Sequence, residues 1–382
     1  MTFMANSQLA YINPVILKLA RKQCGYTIEQ AAKSYLSPRK LENVERGDEY
    51  LTFIQFLKLA NRYKRPPAFF YLKEPLREEI LLEDFRTLES RQVKFSPLLI
   101  DTYKKIKKKR DFAVKYQNFD KKYDYSLITF INIENKPEDV AGIILNIVKI
   151  TVSQRKKWKN EYDALNSWKE AIENMGILVF QVSGISVEDE MRGFSISELP
   201  YPTIVLNRND SPLGRIFTLI HEFCHLMLKK GGICTARKKD EEHFEIERFC
   251  NTISGAVLVP RSELLRIQDI EHLDKTKRWE EYELDQLKKT FWASKEVILR
   301  RLLILNKTNK KYYQKKRDEW KKLPKPSKEG GPLPYQKVLT GNSKNYIKIV
   351  LNAMYENKIT KQDVSYYLDM KLKHLSKLEE KL

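Results

Sequence analysis

Cysteine and histidine are both scarce in this 382-residue chain, at four and five copies. The cysteines, Cys24, Cys224, Cys234 and Cys250, show no CxxC spacing and are too few to staple so long a chain. A disulfide scaffold is therefore excluded, and reduced thiols are expected. No run approaches the roughly 18 consecutive apolar residues of a membrane helix, and MTFMANSQLA lacks the charged flank and apolar stretch of a secretory signal. A cytoplasmic protein with no membrane partner is the expectation. Acidic residues are also short: 50 Asp and Glu face 70 Lys and Arg, a formal charge of +20. That surplus suits an anionic partner such as nucleic acid, although lysine-rich sequences drift basic for other reasons, so charge alone does not decide. What the chain has in quantity is apolar side chain, 42% hydrophobic and 11% aromatic. This is enough to bury real cores, and the length allows two or three domains.

Residues 10–72 read as a compact helical unit of five short apolar-periodic segments. A first helix follows Pro14 and is closed by Gly25, and a second is capped by Thr27 with Gln30 as its capping-box partner. A third runs over 39–46 and stops at Gly47. A fourth starts at Thr52 and carries Phe53, Phe56, Leu57, Leu59 and Ala60, with Pro66 and Pro67 near the end of the unit. Residues 81–120 are helical and strongly basic, a pattern that is usually a solvated face. Residues 138–176 are again helical. ILVFQVS, GFSIS and TIVLN, starting at Ile177, Gly193 and Thr203, have the β-branched and aromatic density of short strands. Residues 325–334 have the Pro and Gly content of a linker, and 335–382 form a C-terminal helical domain that packs on the body. The fold class is thus α+β, mostly helical.

The chemistry lies in RIFTLIHEFCHLML, which holds H-E-x-x-H at His221, Glu222 and His225. At about 100° per residue the two histidines sit side by side, one turn apart, at the edge of an apolar stripe. Two neutral imidazoles so placed suit a tetrahedral Zn²⁺, and Glu222 reaches a water rather than the metal. A catalytic zinc keeps three protein ligands, so a third must come from elsewhere. The next helix, about 243–259, puts His243, Glu247, Cys250, Asn251 and Ser254 on one face. Glu247 is the best candidate, and His243, one turn earlier, is the rival. Cys224 falls on the buried side of its helix. Cys250 faces the metal side, as a small packing residue or as a thiolate that binds or senses.

HEFCHLML followed by IERFCNTISGAVLVP resembles the ImmA/IrrE family of metallopeptidases. EDFRT (83–87), MRGFSIS (191–197) and EVILRRLLIL (296–305) match too. The family shows Ala-Asn where this chain has Cys250 and Asn251. The resemblance implies a zincin-like domain over 80–320, with His221, His225 and Glu247 as zinc ligands and Glu222 as general base. In the N-terminal unit, TIEQAAKSYLS, VERG and FLKLANRYKRPPAFFY resemble the XRE (Cro/C1-type) helix-turn-helix family. This implies a DNA-binding domain over 10–72 whose third helix reads DNA through Ser37, Arg39, Lys40 and Asn43. Together the matches cover about residues 10–310.

A zinc endopeptidase whose substrate is a protein is therefore expected. The family implies a repressor or antitoxin-like regulator as that substrate, with the helix-turn-helix bringing the enzyme to DNA. Arg192 is a candidate oxyanion donor, Asn251 a brace for the second helix, and a strand before the metal helix a place for an extended substrate to pair. A homodimer is among the open assemblies. The competing reading is a DNA-binding regulator or antitoxin that keeps a non-catalytic metallopeptidase-like fold. A latent enzyme covered by its terminal helices is a third.

Overall fold

The computed structural model describes residues 8–74, 96–117, 123–128, 131–187, 190–228, 232–233, 241–267, 270–322 and 333–382. The chain divides into two compact units, Met1–Lys105 and Ile106–Leu382.

In the first unit, β1 (Leu9–Ala10) pairs antiparallel with β2 (Leu51–Thr52), Leu9 opposite Thr52 and Ala10 opposite Leu51. Helix α1 (Pro14–Gln23) is capped by Asn13, whose side chain accepts from the Val15 amide. It ends on Gly25 at φ +70°, where the Tyr26 amide donates back to the Arg21 carbonyl. A left-handed residue at that position is what glycine provides without strain. Helix α2 (Ile28–Ala32) has the expected Thr27–Gln30 capping box but stops after five residues, running into a 3₁₀ turn at Lys33–Tyr35. Helix α3 (Pro38–Arg46) starts on a Ser37 cap and ends on Gly47. Helix α4 (Phe53–Arg62) starts on a Thr52–Gln55 capping box.

The expected fifth helix is only a 3₁₀ turn, Pro67–Tyr71, with Pro66 as its N-cap and Pro67 at its first position. Ile16, Leu17, Ala31, Leu41, Phe56, Leu59 and Phe70 form the core of this unit. A bidentate pair, Arg21 to Glu45 at 2.6 and 2.8 Å, ties α1 to α3 beneath it. Phe56, Leu59 and Ala60 point inward, whereas Phe53, Ile54 and Leu57 form a second stripe that stays exposed.

Helix α5 (Pro97–Tyr116) carries the basic run. Several of its charges are spent within the protein: Lys104 donates to the Gln23 carbonyl, Lys109 to Asn342, and Arg110 pairs with Glu198. The helical stretch expected over 138–176 is made of three helices, α6 (Pro137–Val148), α7 (Val152–Arg155) and α8 (Glu161–Glu173). Left-handed Lys149 and the capping residues Thr151 and Asn160 separate them.

The strands follow as expected: β3 (Leu178–Val182), β4 (Gly193–Ile196) and β5 (Thr203–Asn207). Then come α9 (Pro212–Met227), a short strand β6 (Gly232–Ile233) and α10 (Glu241–Leu258). The sheet order is β3-β5-β4-β6, with β3 and β5 parallel and β4 antiparallel to both of its neighbours. Five helices complete the body and its approach to the tail: α11 (Arg261–Leu265), α12 (Glu281–Phe291), α13 (Lys295–Ile304), α14 (Lys310–Lys321) and α15 (Pro334–Gly341). The chain closes with α16 (Lys344–Tyr355), α17 (Lys361–Leu368) and α18 (Leu375–Glu379).

Strand alternation gives the sheet two working faces. Val179, Ile204 and Leu206 join the core shared with α9, while Phe180 turns the other way and meets Tyr346 of α16 edge-on at 5.3 Å. The C-terminal helices therefore pack on the sheet face opposite the HExxH helix. EDFRT at 83–87 and residues 325–332 of the expected linker lie outside the described residues.

Candidate metal centre

Helix α9 begins on Ser211, whose hydroxyl accepts from the Gly214 amide, with Pro212 at its first position. It is buried on nearly every side: the sheet covers one face, and α8 and α10 cover others. A helix that is apolar almost all round belongs in such an interior, and the polar groups it carries there are few and specific. They include His221, Glu222 and His225, which are 7%, 1% and 3% exposed.

Helix α10 crosses α9 and brings Glu247 to the imidazole pair. The two Nε2 atoms stand 3.1 Å apart, His221 Nε2 lies 3.2 Å from Glu247 Oε2, and His225 Nε2 lies 3.2 Å from Glu247 Oε1. Three donors held about 2.0–2.2 Å from a tetrahedral zinc stand about 3.3 Å from one another. The observed triangle has that size and that mix of two imidazoles and one carboxylate, so the donor set fits zinc. Burial on its own raises the Glu247 carboxyl, but the two imidazoles that face it outweigh burial and hold it far below the usual carboxylate range. It is an ionised donor at neutral pH.

Two buried arginines that the sequence reading missed fix the far end of α10. Arg155, with no exposed surface, donates to the carbonyls of Leu258 and Val257 at 2.5 and 3.0 Å. Arg301 donates from Nε to the Val259 carbonyl at 2.9 Å and pairs with Glu138 at 2.6 Å. Both cations sit where the carbonyls of a helix end lack partners and its dipole is negative. Burial pushes Arg155 down to about 10, which still leaves it charged at neutral pH. Arg301 lay in a run already matched to the family. Arg155 had no signal, since an arginine is ordinarily a surface residue.

Close approach of the sheet also matters. A Cβ built on Gly193 would stand 2.6 Å from the Thr218 methyl, 2.7 Å from the Val205 carbonyl oxygen and 3.4 Å from Glu222 Cγ. Only a residue without a side chain lets β4 lie this near the helix that carries Glu222.

The other candidates divide. Cys224 and Cys250 are buried, burial pushes both thiols up, and neither belongs to the donor cluster of His221, His225 and Glu247. His243 lies in the first turn of α10 with its side chain outside the described residues, as does Cys234. Asn251 is half-buried on α10. Arg192 is not drawn into the site; it is exposed and pairs with Asp210 at 3.4 Å. The strand edge expected to receive substrate is largely occupied. β5 lies between β3 and β4, and β4 pairs with β6 at Phe194 and Ser195.

In the N-terminal unit, Ser37 caps α3 through the Lys40 amide, and Arg39 is exposed in the first turn. Asn43 is engaged inside the unit, donating to Glu49 at 2.7 Å and accepting from Arg46.

Residues 172–303 match the peptidase M78 family, described as the IrrE N-terminal-like domain. The match takes in α9, α10, Gly193 and Arg301, and it supports the ImmA/IrrE family of metallopeptidases. No curated protein and no solved structure matches the chain at a significant level.

Proposed function

We propose that this protein is a zinc-dependent endopeptidase joined to a DNA-binding unit, and that it cleaves a repressor or antitoxin-like regulator to control transcription. The observation that carries the reading is the triangle of His221, His225 and Glu247 donors at zinc-compatible spacing, one residue from a buried carboxylate on the same helix.

His221, His225 and Glu247 would hold the ion. When bound, zinc supplies a Lewis acid that polarises a scissile carbonyl and acidifies water. Glu222 takes the proton of the attacking water and returns it to the leaving amine nitrogen, a task that needs a carboxylate adjoining the ligands but not bound as one of them. Burial of α9 excludes bulk water from this carboxylate, which strengthens its pull on the proton. The crossing of α9 and α10, held by Arg155 and Arg301, keeps the third ligand in place.

The DNA-binding part rests on a Ser37-capped helix that presents Arg39 and Lys40 on its first turn, the end that enters a major groove in helix-turn-helix proteins. The positive charge of the chain supports it. Arg39→Ala should weaken binding to the chain's own promoter region and flatten its salt dependence, read by fluorescence anisotropy.

The peptidase is tested with Glu222→Gln. The variant should keep its zinc and lose cleavage of the neighbouring gene's product by about 10²–10⁴-fold. If wild type and variant are alike while both bind DNA, the protein is a regulator and the metal centre is structural.

A further inference from the structure

In the second unit, the loop between α7 and α8 and the C-terminal half of α12 enclose a cavity of about 690 Å³, a size that holds small molecules. Trp158 and Trp292 stand in its wall, with ring centroids 6.2 Å apart and planes at 67°. Both are fixed to one atom. The Arg155 carbonyl accepts from the Trp158 amide at 3.2 Å and from the Trp292 indole N–H at 3.0 Å. Arg155 has no exposed surface, so the aromatic wall is set before any ligand arrives. Trp292 also holds a left-handed backbone, φ 51° and ψ 44°, which a bulky residue adopts only at a cost. Lys156, Lys159 and Lys289 line the same cavity, and none of the three has an ion-pair partner among the described residues. The carboxylates of the wall are already engaged, Glu161 with Lys288 at 2.9 Å and Asp285 with Lys295 at 2.8 Å.

We propose that this cavity binds a nucleotide with two or three phosphates, its base stacked on an indole and its phosphates among the lysines. An indole offers a flat π-face on which any base can stack. A single phosphate group carries about −2 at neutral pH, so three unanswered lysines select a chain of phosphates. The site has one aromatic wall and one concentrated charge, and a nucleotide has one of each. A fatty anion does not suit it, because the side chains of the wall other than the two indoles are polar or charged. An acidic peptide is taken up on a sheet edge or along an apolar groove, whereas this wall is a loop and a helix end with its rings crossed. His221, His225 and Glu247 take no part in the wall, so the proposal stands apart from the metal centre.

Isothermal titration calorimetry of the full chain tests this with ATP, adenosine, inorganic triphosphate and a short adenine single strand, without added divalent metal. ATP should bind once per chain, at least about tenfold tighter than adenosine or triphosphate, because only ATP presents ring and phosphates together. Trp158→Ala should weaken ATP at least about fivefold, the loss of one base–aromatic stack, and leave triphosphate unchanged. Lys289→Glu should weaken ATP and triphosphate alike, and decides the matter if Trp158→Ala fails to fold. Lys373→Glu makes the same charge change at an exposed lysine outside the cavity and should leave ATP binding as it is. A wild-type chain that binds no ATP at millimolar concentration overturns the proposal, as does triphosphate bound as tightly as ATP. So do folded Trp158→Ala and Lys289→Glu proteins that bind ATP like wild type, or a Lys373→Glu protein weakened equally. A single strand bound at least about tenfold tighter than ATP through the same residues makes the cavity a nucleic-acid subsite and overturns it too.

Discussion

Replacing Gly193 with alanine adds one methyl group where β4 meets the HExxH helix. The new carbon would lie 2.6 Å from the Thr218 methyl and 2.7 Å from the Val205 carbonyl oxygen, against 3.4–4 Å for ordinary contact. The carbonyl cannot yield, because Val205 stands in β5 between two neighbouring strands. The strand must therefore back away from α9 by roughly 1 Å, and overpacking of this kind costs about 1–3 kcal/mol. Alanine also narrows the unfolded ensemble, which returns about 0.4–1 kcal/mol, so the net loss is about 1.3 kcal/mol at mid-range and at most about 2.6 kcal/mol. Glu222 Cγ, at 3.4 Å from the same point, shifts with the interface. A displacement near 1 Å in a catalytic group can cost about 10²-fold in rate. Urea unfolding should thus show a lower midpoint at an unchanged slope, and cleavage should fall further than stability alone explains, with zinc still bound. A variant with the wild-type midpoint and the wild-type rate would refute the close-packing argument.

Three other perturbations follow from the same structure. Arg155→Met leaves the Val257 and Leu258 carbonyls buried without their donor, and should lower unfolding free energy by about 1–3 kcal/mol in denaturant titrations. For Glu281, burial works upward, but the bonds from Lys295, Lys316 and Trp320 outweigh it and hold the carboxyl down to about 2, against an ordinary 4.5. The stabilisation is therefore complete above pH 4.5 and lost as pH falls from there toward 2, so Glu281→Gln should unfold with a shallower acid dependence across that window. Iodoacetamide should leave Cys224 and Cys250 unmodified in the folded protein and label both after denaturation, read by mass spectrometry of peptides, because burial keeps both thiols protonated.

Local signals were the readable part of this chain. Thr27 with Gln30 and Gly25 each act within a few residues, so their caps stand where the spacing puts them. The histidine pair was legible because a helix fixes which residues share a face; on the next helix the same rule left His243 beside Glu247, and the resemblance to a known family singled out Glu247. Long-range partners were not. Nothing near Arg155 tells that its guanidinium ends the α10 helix about a hundred residues later. The two stripes of α4 look alike in sequence, since Phe53 and Phe56 are equally apolar, and only the neighbours supplied by β1, β2 and the 3₁₀ turn decide which one is covered. β6, two residues long, has no periodicity to read.

The central claim is that two imidazoles and one carboxylate grip a single zinc ion. Elemental analysis of the purified full chain measures this directly, with wild type, Glu222→Gln and Glu247→Ala prepared side by side. Wild type and Glu222→Gln should carry one zinc per chain, and Glu247→Ala should lose most of it while remaining folded. A folded wild-type protein with no stoichiometric metal, or a Glu247→Ala variant as fully loaded as wild type, would contradict the account.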